Sequence, residues 1–256
     1  MNRSKWSIIN LLALIQMIVM NALANILPIN GRQTGEISDE LGLLFTPAGY
    51  VFSIWGLIYV LLTLWVLRGL FVKKREEIQV IDAIGPFFLI NAILNSSWIL
   101  LFHYGYYEWT LPVISAMLIT LIIISRKIVR SEGARQLNRF PFSIYMGWVS
   151  VATILNVGVA YRGFSDLDAW VLSGELWTNL LLVIGLLLAA FLSRLMRDYV
   201  YPLVFVWAFV GIYAARAAEY PVIGAVALIT GFSLLMIVLY GIWKNRALYP
   251  AKSVET

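Results

Sequence analysis

The chain has 256 residues, 61% of them hydrophobic and only 13% charged. A soluble domain is nearer half apolar and a quarter charged, so this composition excludes a soluble protein and points to a polytopic membrane bundle. There is no cysteine and only one histidine, which excludes a disulfide framework and a cysteine or histidine metal cluster.

A helix needs about 20 apolar residues to cross the hydrocarbon. Eight segments meet that demand: Trp6–Leu27, Ala48–Phe71, Ile84–Tyr104, Trp109–Val129, Phe140–Tyr161, Trp170–Leu195, Tyr199–Ala218 and Pro221–Trp243. The first could be read as a signal peptide. Its Gln16, Asn21 and Asn25, and the lack of a small-residue cleavage motif before Pro28, favour a retained helix. Asn10, Asn21 and Asn25 share one side of that helix, and amides in hydrocarbon ordinarily bond to neighbouring helices.

The connection Pro28 to Thr46 is long and rich in turn formers, including Asn30-Gly31 and Thr34-Gly35-Glu36. Such a loop is either a lid over a binding site or a solvated linker. Pro47 ends it and is well placed to open the second helix. At about 100° per residue, Phe52, Trp55, Tyr59 and Thr63 then fall on one stripe. Trp65 lies off that stripe, toward the other end, and is expected to be indifferent to a ligand. The third helix carries Asn91, Asn95, Trp98 and Phe102 on one face, and the fifth carries Tyr145, Trp148, Ala152 and Asn156 on another. One aromatic stripe is ordinary packing. Three such stripes with hydrogen-bonding groups can enclose an apolar pocket with a few placed polar groups, which is what a small-molecule site needs.

The basic residues divide unevenly between the two sides of this eight-span arrangement. One side holds 16 of the 19 Lys and Arg residues; the other holds Arg32, Arg162 and Arg216. The positive-inside rule then puts both termini in the cytoplasm. The net charge of +5 is therefore a topology signal and an attraction to anionic lipid, with no nucleic-acid partner. Asp82, Glu108, Glu175, Arg216 and Glu219 all sit near expected helix ends, unlike the intramembrane charges of a proton- or ion-coupled pump. His103, near the outer end of the third helix, reads as a satisfied interfacial histidine. There is no phosphate-binding glycine loop, Ser/His/Asp set or carboxylate pair, so no enzyme machinery and no cofactor are expected.

Three motifs resemble the translocator protein family, also called tryptophan-rich sensory proteins (TspO/MBR). Pro47 through Tyr59 resembles the proline-initiated second helix ending in W-x-x-x-Y, with Trp55 and Tyr59. Leu94-Asn95-Ser96-Ser97-Trp98 with Phe102 resembles the third-helix L-N-x-x-W and its phenylalanine. Tyr145, Trp148, Ala152, Thr153 and Asn156 resemble the fifth-helix Y-x-x-W-x-x-x-A-T-x-L-N. The likeness covers roughly residues 6–162. It departs at Ala48, where the family usually has a second proline, at the shorter Phe52 to Trp55 gap, and in three additional helices after Tyr161.

The resemblance implies an all-α, polytopic transmembrane helical bundle. Residues 1–162 would form the five-helix domain, and residues 163–256 would add helices of unassigned role. It implies a pocket beneath the first loop for porphyrins and other tetrapyrroles, sterol-like lipids or flat aromatic ligands. By position, Trp55, Tyr59, Asn91, Asn95, Trp98, Phe102, Trp148, Ala152 and Asn156 would line or support it. The expected role is a sensor or carrier of hydrophobic small molecules in the plasma (inner) membrane. A permease and a structural membrane subunit are the alternatives. Five-helix members pair, so a homodimer is one expected partner, although the additional helices could occupy the pairing surface.

Overall fold

The structure, a computed structural model, describes residues 5–131, 136–164 and 173–248. In chain order the helices are α1 (Lys5–Ile26), α2 (Thr34–Glu40), α3 (Ile54–Phe71), α4 (Arg75–His103), α5 (Tyr107–Arg130), α6 (Gln136–Phe164), α7 (Gly174–Met196), α8 (Tyr201–Arg216) and α9 (Pro221–Leu248). Among the described residues there is no strand. Each of the eight expected apolar segments is a helix, although Trp170, the expected start of the sixth, lies outside the described residues. Seven are long and apolar enough to cross a membrane; the other, α8, has 16 residues. At 1.5 Å per residue α8 rises only about 24 Å, less than a hydrocarbon core of about 30 Å.

Five helices close into a ring: α1 packs on α3 and α4, α4 on α5, α5 on α6, and α6 back on α3. Of the two remaining layers, α8 docks on α6 and on the turn before α3, and α7 and α9 pack on α8 and on each other. Large apolar side chains such as Ile8, Leu64, Phe191 and Phe232 stay exposed on the outside. In water they would be a liability; in a bilayer they are the lipid-facing surface.

At the basic end of this bundle, several polar groups are paired across helices, as a medium without water favours. Arg68 on α3 forms an ion pair with the buried Glu77 on α4 and donates to Asn138 Oδ1 on α6 at 3.2 Å. The third span is expected to start at Ile84, which leaves residues 75–83 before it. They are instead the first turns of α4, where Glu76 and Glu77 complement the positive end of the helix dipole. Near the same end, Arg139 donates to the carbonyls of Met196 and Arg197 at 2.7 and 2.6 Å. Asp198 accepts from Ser143 and, through Oδ1, from the Val200 and Tyr201 N–H groups at 2.9 and 3.1 Å, which satisfies the start of α8.

The second span begins differently from its expected form. Pro47 does not open an α-helix: Ala48 is extended, Gly49–Ser53 is a 3₁₀ turn, and the α-helix starts at Ile54. The cause is α8. The Ala48 N–H donates to the Gly211 carbonyl at 3.1 Å, and Trp207 Nε1 donates to the Val51 carbonyl at 3.1 Å. Gly211 admits this contact because a Cβ there would collide with the Val51 side chain. Gly147 on α6 has the same role closer to the ring, facing Val204 and the Tyr201 carbonyl. Small residues thus let backbones approach where the hydrophobic effect supplies no force.

Candidate functional site

Inside the five-helix ring, at the end opposite the Arg68–Glu77 pair, lies a cavity of about 330 Å³. Trp55 comes from α3, Trp98 and Phe102 from α4, and Trp148, Ala152 and Asn156 from α6. The three aromatic stripes therefore converge on one space. Phe52 and Trp55 both meet Trp148 edge to face, with ring centroids 5.7 and 6.3 Å apart. Trp98 stacks on Phe102 at 5.0 Å, and its Nε1–H donates to Asn156 Oδ1 at 2.9 Å. The Asn156 amide in turn donates to the Ala152 carbonyl at 2.7 Å. This chain fixes the amide orientation and holds one wall rigid. By contrast, Trp148 is buried and its Nε1–H has no hydrogen-bond partner. An unpaired buried donor costs about 1–3 kcal/mol.

Three expected site residues stand behind the wall. Tyr59 stacks on Trp55 at 5.6 Å and 17°. Asn95 accepts from Asn21 Nδ2 at 2.8 Å, joining α4 to α1. Asn91 is fully buried and donates to the Met117 carbonyl and Thr120 Oγ1 of α5, at 3.0 and 2.7 Å. It is helix–helix glue, because its position on α4 turns it toward α5. Asn21 and Asn25 also reach the cavity, while Asn10 on the same side of α1 is buried with neither amide atom bonded. Trp65, expected to be a bystander, is buried against Phe88 and Phe142 at 5.3 and 5.0 Å, so truncating it would open a hole in the core.

Sequence reasoning missed the α5 wall, made by Ile114 and Met117; for the ceiling it left a lid and a solvated linker both open. An apolar stripe on α5 carries no signal that distinguishes a wall from packing. The ceiling is the first loop, which is ordered as the short helix α2. Gln33, Thr34, Ser38 and Asp39 face the cavity from it, followed by Phe45 and Pro47. Glu36 caps α2 by accepting from the Gln33 N–H at 2.7 Å. Beneath the lid, Ile37, Leu41 and Leu43 pack with Phe102 and Val159 as a small separate apolar cluster.

His103 pins the lid. Its Nδ1 lies 3.1 Å from the Ile29 carbonyl and its Nε2 lies 3.0 Å from Thr34 Oγ1. A carbonyl only accepts, so Nδ1 carries a proton and donates to Ile29. Asn30 Nδ2 closes the set by donating to the His103 carbonyl at 3.0 Å. At the far end of the lid, Arg216 of α8 donates to the carbonyls of Leu44, Leu43 and Thr46 at 3.2, 3.2 and 3.5 Å. Among the described residues no three His, Asp or Glu side chains gather as a metal site.

The His103 bonds make a prediction. In His103→Leu, backbone amides of residues 34–41 should exchange with solvent about tenfold faster, since each lost buried bond is worth about 1–3 kcal/mol. Exchange in the middle of α4 and α6 should not change. Unaltered protection of residues 34–41 would mean that the apolar cluster alone holds the lid.

The chain matches the family model described as TSPO-like protein over residues 7–240. That span runs beyond the five-helix ring and takes in α7, α8 and most of α9. Comparison with curated proteins and with solved structures returns no match. The matched span, the apolar helices and the five-helix ring agree: the chain is an integral membrane protein of the TSPO-like family.

Proposed function

We propose that this protein binds a flat hydrophobic small molecule in the cavity beneath α2 and acts as a sensor or carrier for it. Tetrapyrroles and sterol-like lipids are the ligand classes. The observation that carries the reading is the meeting of Trp55, Trp98 and Trp148, from three helices, on one lidded space. Bundle packing alone needs aromatic contacts but leaves no room between them. The volume of about 330 Å³ is at the low end of small-molecule sites. A few fused rings fill it; a whole porphyrin macrocycle requires the lid to lift or one edge to protrude.

The test is a porphyrin titration of purified protein, followed by quenching of tryptophan emission. Aromatic contacts add about 0.5–1.5 kcal/mol beyond area burial, and buried area contributes about 25 cal/mol per Å². Trp148→Ala should therefore weaken binding by one to a few factors of ten, roughly. Trp148→Phe keeps one aromatic ring but loses part of the indole's area and its N–H, so its loss should be smaller than that of Trp148→Ala. Trp109→Ala, which removes an exposed ring outside the cavity, is the control. Midpoints, not amplitudes, are compared, because each variant lacks an emitter. Equal midpoints in all variants would reduce the aromatic faces to packing and favour a structural subunit.

We further propose that the basic end of the bundle faces the cytoplasm, which places both termini there and α2 on the opposite side of an inner membrane. The sixteen-to-three division of Lys and Arg supports this. Reporter fusions at Gly31 and Lys74 should read outside and inside, and a C-terminal fusion inside. A C-terminus on the outer side would contradict both the orientation and the eight crossings. A homodimer, the remaining proposal, would have to use a face other than the region of α6 covered by α8.

A further inference from the structure

A second cleft, of about 480 Å³, opens at the basic end between the end of α7, the turn into α8 and the end of α9. It lies outside the five-helix ring and has no share in the aromatic site. Arg194, Arg197 and Lys244 line it together with Tyr199, Met236 and Tyr240. We propose that this cleft binds the phosphate-bearing headgroup of an anionic phospholipid, with an acyl chain running along α9.

Among the described residues, the charge in the cleft is uncompensated: the side chains of Arg194, Arg197 and Lys244 make no ion pair. The carboxylate nearest in sequence, Asp198, is buried and already accepts from Ser143, Val200 and Tyr201. The carbonyls that end α7 would repel an anion, but Arg139 covers those of Met196 and Arg197. Two of the neutral donors are occupied as well: Ser193 donates to the Asp198 carbonyl at 2.6 Å and Tyr199 to the Gly241 carbonyl at 3.1 Å. Three cationic side chains are thus left to face one space.

The backbone adds to this. Arg197 closes α7 at φ 50°, ψ 49°, a left-handed turn that glycine ordinarily fills. A side chain held there costs on the order of 1 kcal/mol.

What makes the occupant a lipid is the surface leading away from the cleft. Ile229, Phe232, Met236, Tyr240 and Trp243 follow one another at spacings of three and four along α9, and all are exposed. Met236 and Tyr240 belong both to this apolar stripe and to the cleft wall. A headgroup held by the cations therefore has its chain delivered onto an apolar track. Free phosphate would use the cations and leave the track idle. Basic pockets between membrane helices take anionic headgroups for the same physical reason.

The experiment uses the full chain in an uncharged detergent and measures equilibrium binding of fluorescent phosphatidylglycerol, with fluorescent phosphatidylcholine as the zwitterionic arm. Wild type should bind phosphatidylglycerol saturably and in preference to phosphatidylcholine. Arg194→Gln, Arg197→Gln and Lys244→Gln combined should weaken it by about tenfold or more, since each cation contributes about 1 kcal/mol. The charge-retaining pair Arg194→Lys and Arg197→Lys should lose much less. The same number of exposed cations removed from α5 (Arg126→Gln, Lys127→Gln and Arg130→Gln) should have little effect. Thermal unfolding of each variant checks that it is folded. Equal weakening by the α5 set would replace the site with general surface attraction. Equal binding of phosphatidylcholine would overturn the headgroup assignment. Inorganic phosphate competing as well as the lipid would make this a free-phosphate site and overturn the lipid.

Discussion

The segment from Phe45 to Ser53 must leave a lid, turn, and enter a membrane helix, and along the way its backbone loses regular helical partners. Buried in a bilayer protein, such a backbone has to find partners in the chain itself. α8 supplies them. Its Gly211 carbonyl accepts from Ala48, its Trp207 donates to Val51, and its Arg216 fork collects the carbonyls of Leu43, Leu44 and Thr46. These bonds set where α3 starts, and with it where Phe52 and Trp55 meet Trp148. They also hold one end of the ceiling while His103 holds the other. This explains why α8 can be short: it is fastened to the lid at one end and capped by Asp198 at the other.

The additional helices thereby belong to the same machine as the ring. The family match over residues 7–240 fits this view, since it does not stop at the fifth membrane helix. Within the ring, one wall is rigid. The Trp98–Asn156–Ala152 chain and the Asn91 bridge to α5 are bonded across helices, so that wall keeps its shape. Above that wall, the lid rests on a small apolar cluster and a few polar pins. On the proposed reading, the firm wall would orient a flat molecule beneath the lid.

Much of this was legible in the sequence. The eight apolar segments, the three aromatic stripes and the side-to-side charge imbalance rest on periodicity and length, which a bilayer enforces strictly. Six of the nine residues expected at the site do reach the cavity. Tyr59, Asn91 and Asn95 share their helix faces with those six, but a stripe spans more than one neighbour, and which residue meets a cavity depends on helix crossing. The order of the first loop was hidden for another reason. α2 is seven residues long, too short to announce itself by period, and it is held by contacts to residues such as His103 and Phe102, distant in sequence. The 3₁₀ start of the second span was unreadable because it is imposed by Gly211, far along the chain on α8.

The claim that the aromatic cavity is the binding site is tested most directly by filling it. Ala152 sits on the cavity wall between Trp148 and Asn156, where a larger side chain would take up the space of the ligand. Porphyrin stoichiometry and affinity should be measured for wild type and Ala152→Phe, with the thermal stability of both recorded alongside. The account predicts one saturable porphyrin per wild-type chain, and a folded Ala152→Phe protein whose binding is reduced by a factor of ten or more, roughly. A folded Ala152→Phe protein that binds porphyrin as the wild type does would place the ligand elsewhere and contradict the account.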